Sequence, residues 1–424
     1  MRANLTGKKI LLGVTGSIAI YKAAEVARLL IKSGAEVRVV MTSSAQRFVT
    51  PLTFEALTHN TVLTPESESW SSDLNHIDIG KWADAFVIAP ATANTINKLS
   101  KGIADTLLLQ TALAYSGPLL VAPAANTQMI ANPYTEGSLK MLGVNDVQII
   151  RPQSKLLACG DEGNGALADP IEIYWQVAKA LMIDPFWADR KVVVTGGGTR
   201  ERLDEVRYLS NYSSGKMGKA LATALYLRGA DVCYISTMPH EDLPGEIYTI
   251  DVEDASEMHE YVVDSIRVAK KGKLSKPSMQ TADPVHWIQK TPYLFMAAAV
   301  ADFAPRFAQE GKLKKDTLGS EWSLELTQTT DILKSIDKHG ILTVGFKAEM
   351  DSQNGQANAY GLIERKGVDA VCFNLLDDHE SFGTDDNRVI FLTRDHEVDL
   401  GRHPKLDLAL KILDESSKLD HEKD

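Results

Sequence analysis

The sequence predicts an α/β protein built from two Rossmann-like parallel-sheet domains, and two observations predict it. The first is size: 424 residues exceed one ordinary core at roughly 150 residues per domain. The second is that one β-turn-α-β opening occurs twice. Lys9–Val14 is a short apolar run entering Thr15-Gly16-Ser17, followed by a helical pattern to about residue 32, a Gly34-Ala35 turn and a second run, Glu36–Met41. Residues 191–236 repeat the scheme: a run over 191–195, three glycines at 196–198, a longer loop, a helical pattern ending near 228, Gly229-Ala230, and Asp231–Ser236. Such units lay strands in parallel and leave ligands at the carboxyl ends of the strands.

The remaining elements follow in order. Residues 85–89, 119–122 and 147–150 in the first half, and 293–298, 343–346, 370–373 and 389–392 in the second, are short apolar runs between turn signals. Their length favours buried strands. A helical pattern over about 171–182 closes the first half, and Asp184-Pro185-Phe186-Trp187-Ala188-Asp189 separates it from the next strand, so domains are expected at 1–187 and 188–424. Residues 270–291 have loop composition and read as a mobile surface insertion, while fraying of the charged tail after about 413 would be unremarkable.

Composition narrows the function classes. Apolar residues make up 44% and charged residues 24%, as in soluble globular proteins, and no apolar run reaches membrane-spanning length. Ile10 to Val14 is too short for a signal-peptide core, so the mature chain is expected to begin near Met1. Three widely spaced cysteines make neither a disulfide framework nor a four-ligand zinc site, and point to a reducing, cytoplasmic compartment. A net charge of −11 opposes non-specific binding to nucleic acid.

Chemistry concentrates in a few segments. Neither glycine turn spells the full dinucleotide fingerprint, and the second strand ends in Met41-Thr42-Ser43-Ser44 where an NAD site would place an acid. Hydroxyls there suit a terminal phosphate, which favours FMN over NAD. His76, in a His76-Ile77-Asp78 segment read as lying just before a strand, is a candidate base or electrostatic partner for a substrate carboxylate, and the Asn126 amide a candidate anchor for it. Cys159 lies in a glycine-rich acidic loop over 158–165, where Asp161 and Glu162 oppose thiolate formation and keep the thiol as a proton donor. Taken singly, each has a plainer reading: a structural histidine, a turn asparagine, a small core cysteine.

In the second half, residues 207–218 crowd hydroxyls, the Asn211 amide and two glycines before a helical pattern from Gly215, whose free N–H groups and positive dipole end face an anion. Asp302 ends an apolar run, where an acid binds ribose hydroxyls or Mg²⁺ or else caps a helix. If residues 312–315 are extended, Lys312 and Lys314 share a face that reaches a polyphosphate; the other reading is a solvated lysine run.

The segments Gly13 to Lys22, His76-Ile77, Lys81 to Asp84, Ala89 to Thr95, Pro123 to Asn126 and the Cys159 loop together resemble the flavin-containing cysteine decarboxylases. That resemblance implies a flavodoxin-like domain with FMN held by Gly16, Ser17, Ile18, Thr42, Thr92 and Asn94, and an active site of His76, Asn126 and Cys159. It also implies oxidation of the substrate's sulfur-bearing carbon by hydride transfer to FMN, loss of CO₂, return of the hydride and protonation by Cys159. Ala125 stands where the family motif has Met, so altered packing beside the flavin with retained activity is expected.

The segments Val194 to Glu201, Asp204 to Arg207, Ser210-Asn211, Ser213 to Gly218, Ala297 to Asp302 and Lys312 to Lys315 resemble the phosphopantothenate-cysteine ligase domain over most of 190–393. The whole chain thus resembles the bacterial bifunctional enzymes of coenzyme A biosynthesis. This implies Asn211 stabilising an acyl-cytidylate, Lys312 supporting its formation from CTP with Mg²⁺, and CTP contacts from Asp302, Thr330, Asp331, Ile332, Phe346 and Lys366. The substrates implied are 4′-phosphopantothenate and L-cysteine, and the assembly a homo-oligomer of decarboxylase trimers and ligase dimers. Thr329-Thr330 replaces the family's Asn-Pro, and Leu362 stands where a second lysine is usual. The alternatives are a flavin or NAD oxidoreductase with an appended nucleotide-binding domain, and a non-enzymatic flavin binder; the missing ribose acid opposes the first, and the presence of His76, Asn126 and Cys159 opposes the second.

Overall fold

The computed structural model describes residues 1–71, 74–156, 162–280, 284–313, 321–349, 355–375 and 383–420. Two compact units are present: Arg2–Met182 with Ser275–His286, and Ile183–Leu274 with Trp287–Asp424. Among the described residues, no helix is long and apolar enough to cross a membrane.

In the first unit β1 (Lys9–Val14), β2 (Glu36–Met41), β3 (Ala85–Ala91), β4 (Leu119–Pro123) and β5 (Gln148–Ile149) form a parallel sheet in the order β2-β1-β3-β4-β5. This is the flavodoxin-like order, which opens a crevice where the chain reverses direction between β1 and β3. β3 is buried throughout, as expected of a strand covered on both faces. The helix Ile20–Lys32 buries Ile20, Ala23, Val26, Ala27 and Leu30 at spacings of three and four, and each larger aliphatic contributes about 1.5–3 kcal/mol. Gly34, at φ +91°, then turns the chain so close to Thr6 that a Cβ would fall 2.6 Å from its hydroxyl oxygen.

Two local expectations change here. His76 does not lead directly into a strand: the Asn75 side-chain oxygen accepts from the N–H groups of Ile77 and Asp78 (both 3.0 Å), and the helix Asp78–Trp82 intervenes before β3. In the glycine-rich segment, β6 (Gln153–Leu156) and β7 (Glu162–Ala166) pair as an antiparallel hairpin, so residues 162–165 are strand and not irregular loop. Cys159 itself lies outside the described residues.

The second unit contains β8 (Lys191–Gly196), β9 (Arg200–Arg202), β10 (Tyr208–Ser210), β11 (Asp231–Ser236), β12 (Tyr248–Asp251), β13 (Lys273–Leu274), β14 (Trp287–Ile288), β15 (Tyr293–Met296), β16 (Phe303–Pro305), β17 (Leu326–Gln328), β18 (Leu342–Glu349), β19 (Ala370–Leu375), β20 (Asp386–Leu392) and β21 (Glu397–Pro404). Its main sheet runs β12-β11-β8-β15-β18-β19-β20-β21, a Rossmann-like order with the switch between β8 and β15. Strands β12 through β19 are parallel, but β20 and β21 are antiparallel to their neighbours, so the sheet is mixed. Only residues 393–396 join β20 to β21, enough for a hairpin and too few for a parallel crossover.

Two further expectations change, each for its own reason. As far as Asp420 the segment after 413 is regular: it completes the helix Lys405–Ser416, which buries Leu408, Ile412 and Leu413, and adds a 3₁₀ turn, Ser417–Asp420, in which Leu419 is buried, while residues 421–424 lie outside the described residues. Within 270–291, β13 pairs with β14, and Met279 N donates to Val144 O at 2.6 Å, so this stretch is partly regular and tied down.

The start of the second unit is firmly built. Trp187 is buried with its ring centroid 4.9 Å from that of Tyr293, and the Arg190 guanidinium lies 3.9 Å from the Phe186 ring centroid and 2.9 Å from Asp420. Lys290 Nζ donates to the carbonyls of Pro185 (2.6 Å), Phe186 (3.2 Å) and Ala188 (2.8 Å).

Candidate active sites

At the β1/β3 switch point lies a cavity of about 650 Å³, and Gly16, Ser17, Ile18, Thr42, Thr92, Asn94 and Asn126 all line it. Local chemistry shapes each turn. The Thr42 hydroxyl accepts from Ala45 N (3.2 Å) and the Thr92 hydroxyl from Thr95 N (3.3 Å), each capping the helix that leaves its strand. Thr15, which sequence reasoning passed over, joins two turns: its hydroxyl donates to Pro90 O (2.6 Å) and accepts from Thr92 N (3.1 Å). A Cβ on Gly16 would fall 2.6 Å from Ser44 Cβ and 3.0 Å from Ser44 backbone atoms, so only glycine lets these loops meet. A cavity bordered by helix starts and hydroxyl-bearing turns fits a ligand with one terminal phosphate.

Asn126 is set by its own turn and by the hairpin above it. Its side-chain oxygen accepts from Gln128 N (2.9 Å), opening the helix Thr127–Ile130. Ala125 N donates to Gly165 O (3.1 Å), and a Cβ at Gly165 would lie 2.1 Å from Ala125 O. A Cβ at Gly163 would similarly strike the Thr127 hydroxyl at 2.1 Å. These glycines permit a close approach of two backbones, a meaning that composition alone does not separate from flexibility.

His76 does not line this cavity. Its Nδ1 lies 2.9 Å from a Glu68 carboxylate oxygen, and its ring meets Trp70 edge-on at 5.4 Å. The described residues therefore gather Asn126 with the hydroxyl-bearing turns and leave His76 apart.

In the second unit a cavity of about 550 Å³ follows the carboxyl ends of β15 and β18, lined among others by Asn211, Asp302, Thr330, Asp331, Ile332, Phe346 and Lys366. Asn211 Nδ2 donates to Val300 O (3.0 Å), which fixes the amide against the 297–302 turn. Asp302 caps no helix, because β16 follows it, and its carbonyl accepts from Thr329 N (3.0 Å). Asp331 caps the helix Ile332–Ser335 through Lys334 N (3.1 Å) and pairs with Lys366 Nζ at 3.1 Å. Leu362 is buried and supplies an apolar wall.

A smaller cavity of about 130 Å³ shares Tyr212, Phe346 and Lys347 with the 550 Å³ cavity and reaches the start of the helix Lys216–Leu227, where Gly215 sits at φ +68°. Lys216 and Lys405 line it together with Lys347. Lys216 Nζ donates to Asp385 (2.6 Å) and Gly383 O (2.8 Å), while buried Lys405 donates to Thr384 O. Burial, then the Lys216 charge, pushes the Lys405 ammonium below the ordinary lysine range. Lys405 is far along the chain in a charged stretch, so nothing local in the sequence marks it.

Lys312 is exposed and lines neither cavity, and Lys314 lies outside the described residues. Neighbouring Leu313 is anchored: its N–H donates to Asp204 (3.1 Å) and its carbonyl accepts from Arg207 (2.9 Å). Asp204 is buried, and hydrogen bonds from the Arg207 guanidinium, then from backbone N–H groups, hold its carboxyl well below the usual range. Among the described residues no group of three His, Cys, Asp or Glu side chains is arranged to hold a metal ion.

Comparison with known proteins matches both halves. The Flavoprotein family model covers residues 1–182, and the DNA/pantothenate metabolism flavoprotein C-terminal domain covers 187–271 and 276–419. The coenzyme A biosynthesis bifunctional protein CoaBC of Haemophilus influenzae is 36% identical over 418 residues, spanning 97% of each chain. That of Bacillus subtilis is 37% identical over 424 residues, spanning 98% of each. Among solved structures, the FMN binding protein AtHal3 is 40% identical and covers 40% of this chain and 94% of its own, with a TM-score of 0.37. With both domains matched in order and relatives aligned almost end to end, the chain belongs to the family of coenzyme A biosynthesis bifunctional proteins.

Proposed function

We propose that this chain performs two consecutive steps of coenzyme A biosynthesis: CTP-dependent ligation of 4′-phosphopantothenate to L-cysteine, then FMN-dependent decarboxylation of 4′-phosphopantothenoylcysteine to 4′-phosphopantetheine. One observation carries the reading: identity to bifunctional relatives runs through both halves, and each half has its own cavity at the carboxyl ends of its parallel strands. The oxidoreductase alternative is not favoured.

In the first half, FMN when bound supplies a hydride acceptor and donor beside the substrate's sulfur-bearing carbon. Gly16, Ser17, Ile18 and Thr42 hold its phosphate through N–H and hydroxyl groups, with Thr92 and Asn94 on the opposite turn. Asn126 anchors the carboxylate that leaves as CO₂. Cys159 delivers the proton that completes the product. His76 joins this site when a second copy brings it to the cavity mouth, in keeping with a trimer of this half. Exposed Ile18, Tyr21, Phe48, Leu52 and Trp70 support such an assembly.

In the second half, a pantothenate carboxylate oxygen attacks the α-phosphorus of CTP and pyrophosphate leaves; cysteine's amine then attacks the acyl carbon, CMP departs and the amine loses a proton. Asn211 stabilises the acyl-cytidylate, and Lys312 neutralises phosphate charge. Asp302, Thr330, Asp331, Ile332, Phe346 and Lys366 receive the nucleotide. Exposed Val206, Tyr208, Phe303 and Phe307 support dimers of this half. The free thiols Cys233 and Cys372 fit a reducing, cytoplasmic setting.

The test is to incubate purified protein with 4′-phosphopantothenate, cysteine, Mg²⁺ and each nucleoside triphosphate and to identify products by mass. The expected products are 4′-phosphopantetheine, CO₂, CMP and pyrophosphate with CTP. Accumulated 4′-phosphopantothenoylcysteine would refute the first-half assignment, and absence of nucleoside monophosphate the second.

A further inference from the structure

We propose that Lys22 is a positioning residue for decarboxylation, a strut that fixes both feet of the β6–β7 hairpin to the wall of the first cavity. The inference rests on the decarboxylase reading above. Lys22 is the third residue of the helix Ile20–Lys32, lines the cavity, and is only 15% exposed in its side chain. Its ammonium donates to Leu167 O at 3.0 Å and to an Asp169 carboxylate oxygen at 3.3 Å. The other Asp169 oxygen accepts from Gln153 Nε2 at 2.9 Å. Gln153 is the first residue of β6, and Leu167 directly follows the last residue of β7. Both hairpin feet thus converge on one ammonium–carboxylate pair.

The plainer reading is a surface ion pair of little value. Three facts set this pair apart. The ammonium is largely covered, its first acceptor is the main chain of buried Leu167, and the Asp169 carbonyl also accepts from Glu172 N (2.9 Å) and Ile173 N (3.1 Å), rooting the strut in the helix Pro170–Met182. The wall it holds is functional in position. Gly165, Ala166 and Leu167 line the cavity, and Gly165 O receives the Ala125 N–H beside Asn126, so a shift at Leu167 passes directly to the Asn126 turn. In sequence the hairpin also carries Cys159 between its strands.

The proposal separates two half-reactions. Loss of CO₂ after oxidation leaves an enethiol; the saturated thiol forms only when that enethiol regains the hydride and one proton. A hairpin with loosened feet slows the second event more than the first. The test compares flavin-loaded wild type, Lys22→Met, Lys22→Arg and Gln153→Ala, reading amide hydrogen exchange in peptides from 153–156 and 162–167 together with the enethiol-to-thiol ratio from 4′-phosphopantothenoylcysteine. Lys22→Met is expected to raise both about tenfold with flavin content unchanged, Gln153→Ala to raise both less, and Lys22→Arg to restore both. Unchanged exchange, or faster exchange with an unchanged product ratio, overturns the proposal. Wild-type protein that releases no CO₂ would defeat the decarboxylase reading instead, and the exchange comparison would still decide the strut.

Discussion

Both cavities lie at the carboxyl ends of parallel strands, the first at its sheet's switch point and the second beside β15 and β18, yet they offer anions different groups. The first presents helix starts, hydroxyls and backbone N–H groups at Gly16, Ser17, Thr42 and Thr92. The second, with its smaller annex, presents Lys216 and Lys366, each already paired with an acid, Asp385 at 2.6 Å and Asp331 at 3.1 Å. Neutral preorganised donors suit a cofactor that stays bound through every cycle. Ammonium groups that exchange an internal carboxylate for a ligand phosphate suit a substrate that must also leave, because the internal partner lowers the net gain on binding.

That contrast can be broken most sharply at Gly165. A valine there would drive its Cβ into Ala125 O, so Gly165→Val is expected to cut decarboxylation about 10²-fold or more while CMP release continues at its normal rate. Parallel assays of CO₂ and CMP measure this; equal losses in both would show that the halves do not work independently. The mirror experiment is Asn211→Ala, for which CMP release should fall about 10²-fold with decarboxylation of supplied 4′-phosphopantothenoylcysteine intact.

A subtler comparison uses salt. Raising ionic strength to about 0.5 M should raise the KM for CTP several-fold and leave flavin retention unchanged, and Lys366→Met should lose most of that salt dependence. Flavin that dissociates as readily as CTP would erase the distinction drawn above.

The smallest effect concerns Asp204, whose carboxyl is held below its ordinary pKa by Arg207. A depressed carboxylate contributes stability that is fully present above the ordinary value and is lost as pH falls through the depressed one. Thermal unfolding of Asp204→Asn should therefore lie a few degrees below wild type near neutrality, with the gap narrowing below about pH 4. A gap that is constant or widens in acid would contradict the ion-pair account.

Much of this architecture was legible where one short window contains the whole cause. The alternating turns and apolar runs of residues 9–41 and 191–236 announce parallel units, and Gly16, Thr42 and Thr92 follow strands they can be read from. Legibility fails where the partner is distant in sequence. Lys405 meets Lys216 only because β20 and β21 fold back as a hairpin, and that antiparallel edge is not signalled by short apolar runs. The place of His76 beside Glu68 and Trp70 depends on a turn capped by Asn75. Gly165 illustrates a different limit: glycine allows both motion and intimate contact, and only the Ala125 carbonyl opposite tells which.

The indole of Trp187 has a practical corollary for anyone wishing to cut the gene in two. It is embedded among Tyr293, Phe295 and Phe186, and Lys290 grips the carbonyls on either side of it. A severed ligase fragment beginning after that indole would be born with a hole in its centre; one beginning at Ile183 keeps its plug.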